Sequence, residues 1–247
     1  MLSNKELFLL QTLEKTTLAT NRQLLILCGY HDPSVIRKRL NRLKAEGYIT
    51  AEWMGDKLAY TLTQAGLSEL EKTRRPYEIR GCIKSEHEEL VTEAACWLYI
   101  RAGRSITEML FDHELNSIKA FKDIGHKPDI VFSQHQCLEM ELSSKQTRGD
   151  STKNGLEDNI MLNARNFSRQ TWIVPDHKPG LMTRIKTLAK NNGVAKTVNI
   201  FPLSTVISEV AAYDARNNAP RTAPLKGMPS LLHSSLPARE TEVVLDD

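Results

Sequence analysis

Apolar residues recur along this chain at two spacings, and the switches between them mark its elements. In residues 3–15, SNKELFLLQTLEK, Leu7, Leu10 and Leu13 keep helical spacing with Phe8 and Leu9 beside them, and Ser3 with Glu6 fits a capping box. A second helix starts near Thr20 or Asn21 in TNRQLLILCG and stops at Gly29. Asp32 caps a third, DPSVIRKRLNRLKAEG. Pro33 suits its first helical position, and Ile36, Leu40, Leu43 and Gly47 form its inner stripe. The period then drops to two: YITAEW alternates, GD makes a tight turn and KLAYTL returns, before TQAGLSELEK opens another helix.

KTRRPYEIRG, residues 72–81, is charged and interrupted by Pro76, and reads as a linker. Beyond it, SEHEELVTEAACWLYIRAG predicts a helix from Ser85 to Gly103 with Leu90, Ala94, Trp97 and Leu98 facing inward. ITEMLFDHEL, HKPDIVFS and QCLEMELSS predict three strands. LEDNIMLNARNFSR predicts a helix, TWIVPD a strand, KPGLMTRIKTLAKNNG a helix, TVNIFPL a strand and STVISEVAAYDARN a last helix. The order αβββαβαβα implies a mixed sheet with helices packed on it, an α/β protein of the α+β kind. The chain thus divides into residues 1–75, residues 82–213 and a tail, 214–247, rich in Pro, Ser and Ala that reads as a flexible extension.

Composition changes this picture little. The 247 residues are 40% hydrophobic and 26% charged with a formal net charge of +3, which permits a nucleic-acid partner without demanding one. No apolar run approaches the ~20 residues of a membrane helix, and MLSNKELFLL lacks the features of a signal peptide, so the expectation is a cytoplasmic protein without membrane insertion. The four cysteines, Cys28, Cys82, Cys96 and Cys137, form no C-x-x-C pair and read as reduced core thiols.

The chemistry gathers in KPDIVFSQHQCLEMELSSKQ, residues 127–146. Strand alternation puts Glu139, Glu141 and Ser143 on one face and Leu138, Met140 and Leu142 on the other. Glu139 and Glu141 then stand about 6.6 Å apart along the strand, and Asp129 arrives from the neighbouring strand. Three such carboxylates repel one another unless a divalent cation neutralises them, and hard oxygen ligands suit Mg²⁺ or Mn²⁺. Such an ion can ready a water or hydroxyl for attack, and a second, ~3.5–4 Å away, can stabilise the leaving oxygen of a phosphodiester. Lys145 shares parity with Glu141 but lies about 13 Å further along an extended chain, so it approaches a phosphate only if the strand ends near Ser143. The alternative is a strand face that displays acids to water.

The third helix carries Arg37, Lys38, Asn41, Arg42 and Lys44 on its outer side, and a helix of this kind fits a DNA major groove. Lys57 at the tip of the following hairpin is placed to meet a backbone phosphate. Arg148 and Lys153, in the polar loop KQTRGDSTKNG, and Arg165 and Arg169 on the next helix are placed likewise. The plainer alternative for each is an ordinary solvated charge.

Helix, helix, helix and hairpin, with Gly47-Tyr48-Ile49 and then Tyr60, Leu62, Thr63 and Gly66, resembles the winged-helix domains of many bacterial regulators. Pro128-Asp129 on the second strand and Glu139-Met140-Glu141 on the third resemble the PD-(D/E)xK nuclease core, some members of which have Glu in the lysine position. This sequence departs from the generic motif there, which leaves the phosphate-stabilising base open. With His87-x-x-Leu90 opening the long helix and Glu114 ending the first strand, the combination resembles the replication-relaxation family, in particular MobC-type relaxases of mobilizable plasmids. The resemblance implies an enzyme that nicks one strand of double-stranded DNA at a plasmid origin of transfer with Mg²⁺ or Mn²⁺, and accessory mobilization or coupling proteins as partners. It implies catalytic roles for Asp129, Glu139, Glu141 and Lys145, metal ligation by Asp129, Glu139 and Glu141, and a cleft lined by His87, Glu88 and Glu114. Tyr77, Tyr99 and Tyr213 are candidates for a covalent nucleophile beside water. The competing expectations are a non-catalytic regulator of plasmid replication or transcription, and a nuclease of this type outside conjugation.

Overall fold

The computed structural model describes residues 1–79, 82–122, 125–142 and 155–218. Lys145, Arg148 and Lys153, and the tail from residue 219, lie outside the described residues.

The N-terminal unit contains α1 (Asn4–Thr16), β1 (Ala19–Thr20), α2 (Asn21–Leu27), α3 (Pro33–Ala45), β2 (Ile49–Met54), β3 (Lys57–Leu62) and α4 (Gln64–Glu69). Each helix starts where a side chain satisfies its free amides. Glu6 accepts from the Ser3 N–H at 2.8 Å, Thr20 accepts from Gln23, Asp32 accepts from Ser34 at 2.7 Å, and Thr63 accepts from Gly66. Ile36, Leu40 and Leu43 of α3 are buried together with Leu9, Leu10 and Leu13 of α1. β2 and β3 form the expected hairpin around Gly55, whose φ of 62° is one that glycine adopts freely. The two-residue β1, which the hydrophobic pattern misses, adds to β3 and makes the sheet three-stranded in the order β1-β3-β2.

The second unit begins with α5 (Cys82–Ala102), three residues earlier than the pattern predicts. Its five-stranded sheet has the order β4-β5-β6-β7-β8: β4 (Leu110–Phe111), β5 (Ile130–Ser133), β6 (Gln136–Met140), β7 (Arg169–Val174) and β8 (Val198–Pro202). β4, β5 and β6 pair antiparallel, whereas β6, β7 and β8 run parallel. Between them come α6 (Asp112–Leu115), α7 (Lys119–Lys122), α8 (Leu156–Asn166) and α9 (Pro179–Asn191), and α10 (Leu203–Asn218) closes the described chain. α5 covers one sheet face, where Leu138, Met140 and Ile173 join Ala94, Trp97 and Leu98. α8 and α9 cover the other, where Leu156, Ile160, Leu181 and Ile185 surround Trp172. Among the described residues no helix is long and apolar enough to cross a membrane.

ITEMLFDHEL departs most from expectation. Ser105 and Glu108 form a capping box that winds residues 106–108 into a short 3-10 turn, and Glu114 reaches back to the Phe111 N–H at 3.0 Å to cap α6. Only Leu110 and Phe111 remain extended, opposite Val131 and Ile130.

The two units share one core. Ile26 and Leu27 of α2 pack into the cluster built by α5 and the sheet. Gln23, fully buried, donates to the Glu89 carbonyl at 3.1 Å and to Glu93 at 3.0 Å. Thr92 donates to the Leu18 carbonyl at 2.8 Å, and Lys15 pairs with Glu114 at 2.8 Å.

Candidate functional site

β5 begins, and β6 ends, at the same edge of the sheet. Open sheets with helical crossovers place their ligands at the carboxyl ends of the parallel strands, and this is that edge for β6 and β7. Ile130 pairs with Leu138, so one step outward Asp129 stands opposite Glu139; Glu139 meets Asn163 of α8, while Asp129 meets His87 of α5 at the end of the sheet. Like charges directly opposite across two strands oppose folding.

Each carboxylate takes its hydrogen bonds through one oxygen. The Met140 N–H donates to Asp129 Oδ2 at 2.7 Å, and His87 Nε2 lies 3.5 Å from Asp129 Oδ1. His126 Nε2 and the Asn163 amide both contact Glu139 Oε1, at 2.5 and 2.7 Å. Among the described residues Oε2 of Glu139 takes no hydrogen bond, and Oδ1 of Asp129 lies beside His87. Burial, and after it the charge of Glu139, push the Asp129 carboxyl up to about 7; His87 and the Met140 N–H oppose the rise without cancelling it. Asp112 adds further negative charge within electrostatic reach, and hydrogen bonding from His113 holds its own carboxyl below the ordinary value.

Of the residues predicted from sequence, Asp129, Glu139 and His87 come together. Glu141 is buried on the face of Glu139, with its N–H donating to the Ile173 carbonyl at 3.0 Å. No three His, Cys, Asp or Glu side chains among the described residues are grouped closely enough to hold a metal ion. Glu88 occupies the turn of α5 next to His87. Glu114 does not line this cleft: both its oxygens turn to Lys15 of α1, at 2.8 and 3.1 Å, because it caps α6 and faces the N-terminal unit. Its neighbour Asp112 has the electrostatic position expected of it.

His126, Asn163 and Asp112 have no sequence signal of their own. His126 precedes Asp129 by three residues in an irregular approach to β5, and Asn163 meets Glu139 only once α8 packs on the sheet. Burial pushes the hydroxyls of Tyr77 and Tyr213 upward, so neither is a ready tyrosinate. Cys28, Cys96 and Cys137 are free thiols, each pushed upward by burial.

On α3, Arg37, Lys38, Asn41 and Lys44 are exposed and make no ion pair among the described residues. Arg42 is committed to Glu46 at 2.8 Å and Glu6 at 3.1 Å. Lys57, at the tip of the β2–β3 hairpin, is not a free charge: it turns onto α5 and meets Glu89 at 2.7 Å. Arg165 and Arg169 are exposed.

No protein-family model, no curated protein and no solved structure matches this chain.

Proposed function

We propose that the chain is a DNA relaxase: it nicks one strand of double-stranded DNA at an origin of transfer, using a divalent cation held by Asp129 and Glu139. In this reading the N-terminal unit is a winged helix and the second unit a PD-(D/E)xK-type nuclease core. The observation that carries it is the cross-strand pair Asp129 and Glu139, brought together at the end of the sheet, Asp129 hydrogen-bonded by the Met140 N–H and beside His87, Glu139 in contact with His126 and Asn163. Two facing carboxylates in a largely buried setting are costly, and a cation relieves that cost.

The donor chemistry fits Mg²⁺ or Mn²⁺. Magnesium is usually held by one or two carboxylates with several waters, so a pair of carboxylates suffices with waters filling the shell until a DNA phosphate replaces one of them. When bound, the ion would supply positive charge at the scissile phosphate. The protein's own part is to orient Glu139 through His126 and Asn163, and Asp129 through the Met140 N–H. His87, beside Asp129, is placed to hold or pass a proton at Nε2. Arg37, Lys38, Asn41 and Lys44 give α3 the exposed donors that phosphates and guanine edges accept.

Incubation of the purified chain with supercoiled plasmid bearing its origin of transfer, in Mn²⁺ or in EDTA, tests this. Open circles cut in one strand at one position, formed with Mn²⁺ only and lost in Asp129→Ala, are expected. A non-catalytic DNA-binding regulator is the second reading, favoured by the lack of a three-ligand metal group among the described residues. It predicts DNA binding by α3 that is indifferent to Mn²⁺ and to Asp129→Ala.

A further inference from the structure

Asn159, on α8, is 2% exposed, and its side-chain oxygen has no hydrogen-bond partner among the described residues. Leaving a buried amide oxygen unpaired is destabilising, so such a group calls for an explanation. Its place in the fold supplies one. The chain leaves β6, returns along α8 and enters β7 parallel to β6, so α8 runs against the direction of β6. The Asn163 amide contacts Glu139. Asn159 lies one helical turn back on the same helix face, about 6 Å nearer the sheet edge. Glu141 lies two strand residues beyond Glu139, about 6.6 Å in the same direction. Asn159 is therefore level with Glu141, on the side of the sheet where Asn163 meets Glu139.

We propose that Asn159 is a positioning residue of the acidic site, its Oδ1 accepting a hydrogen bond from a water in the hydration shell of the bound divalent ion. The inference rests on the metal-dependent reading above. Two asparagines one turn apart then divide the work: Asn163 fixes a carboxylate, and Asn159 fixes the ion's water. Magnesium and manganese keep several waters when protein-bound, and a fixed acceptor selects which direction those waters face. A neutral amide does this without adding a further negative charge beside Glu139 and Asp129. The same account explains the unpaired oxygen, since the water that satisfies it arrives with the ion.

The test uses the full chain and Mn²⁺ alone. Mn²⁺ affinity is measured by titration calorimetry, and melting temperature is measured in EDTA, for the wild type, Asn159→Leu, Asn159→Asp and Asp129→Asn. Asn159→Leu is expected to bind Mn²⁺ about 10-fold more weakly or worse, while its melting temperature in EDTA rises by about 2–4 °C, because an unpaired buried oxygen is gone. Asn159→Asp restores an acceptor and is expected to bind at least as tightly as the wild type. A merely structural asparagine would give the reverse, a lower melting temperature in Asn159→Leu. That fall, or unchanged Mn²⁺ affinity in Asn159→Leu, overturns the proposal while wild-type binding lost in Asp129→Asn keeps the metal reading intact. Absence of Mn²⁺ binding by the wild type removes both.

Discussion

Replacing Asp129 with asparagine in the metal-free protein removes a titration and keeps the local geometry, since the amide oxygen can still accept from the Met140 N–H. The folded carboxyl sits at about 7 against an ordinary 3.8. The folded state therefore holds the proton more tightly than the unfolded chain, and stability falls as pH rises between those values. At ~1.4 kcal/mol per unit, the ionised group costs about 4 kcal/mol above pH 7. About 2 kcal/mol of this is lost between about pH 5.5 and 8, the remainder having gone at lower pH. Urea unfolding in EDTA at both pH values, for the wild type and Asp129→Asn, reads the difference directly. The wild type is expected to lose about 2 kcal/mol more than the variant over that interval. Parallel pH dependence in the two proteins would refute the argument that burial and Glu139 together raise this carboxyl.

Other expectations follow from single contacts. Asn163→Ala frees Glu139 from one of its two anchors and should weaken Mn²⁺ binding about 10- to 100-fold with the fold retained, as titration calorimetry and circular dichroism can show. Arg37→Ala should weaken DNA binding and lower the salt slope by about one if the side chain meets a phosphate, as a filter-binding salt series can show. Gln23→Leu leaves the Glu89 carbonyl and Glu93 without their buried donor and should cost about 1–3 kcal/mol in urea unfolding. A loss near zero would mean that the Gln23 hydrogen bonds add nothing to the contact between the units.

The elements were legible where local chemistry decides them. Ser3 with Glu6, Asp32 with Pro33, and the alternation in YITAEW and KLAYTL act within a few residues, and the helices and hairpin appear where they point. ITEMLFDHEL misleads because its apolar content suggests a strand while two capping carboxylates, Glu108 and Glu114, wind its ends. The cross-strand meeting of Asp129 and Glu139 was readable from strand parity, since one turn joins β5 to β6. His126 and Asn163 were not, because their contacts with Glu139 depend on an irregular segment and on a helix crossing the sheet. Lys57 and Glu114 look like free site charges in sequence; only the packing of the N-terminal unit on α5 and β4 shows them paired with Glu89 and Lys15.

At the centre of the account is a pair of facing carboxylates that needs a cation. Electron paramagnetic resonance of Mn²⁺ titrated into the full-length wild type, Glu139→Gln and Asp129→Asn asks this without DNA or turnover. The account predicts that the free-ion signal is quenched stoichiometrically by the wild type and remains in both variants. Equal quenching in all three proteins, or none in the wild type, would contradict it.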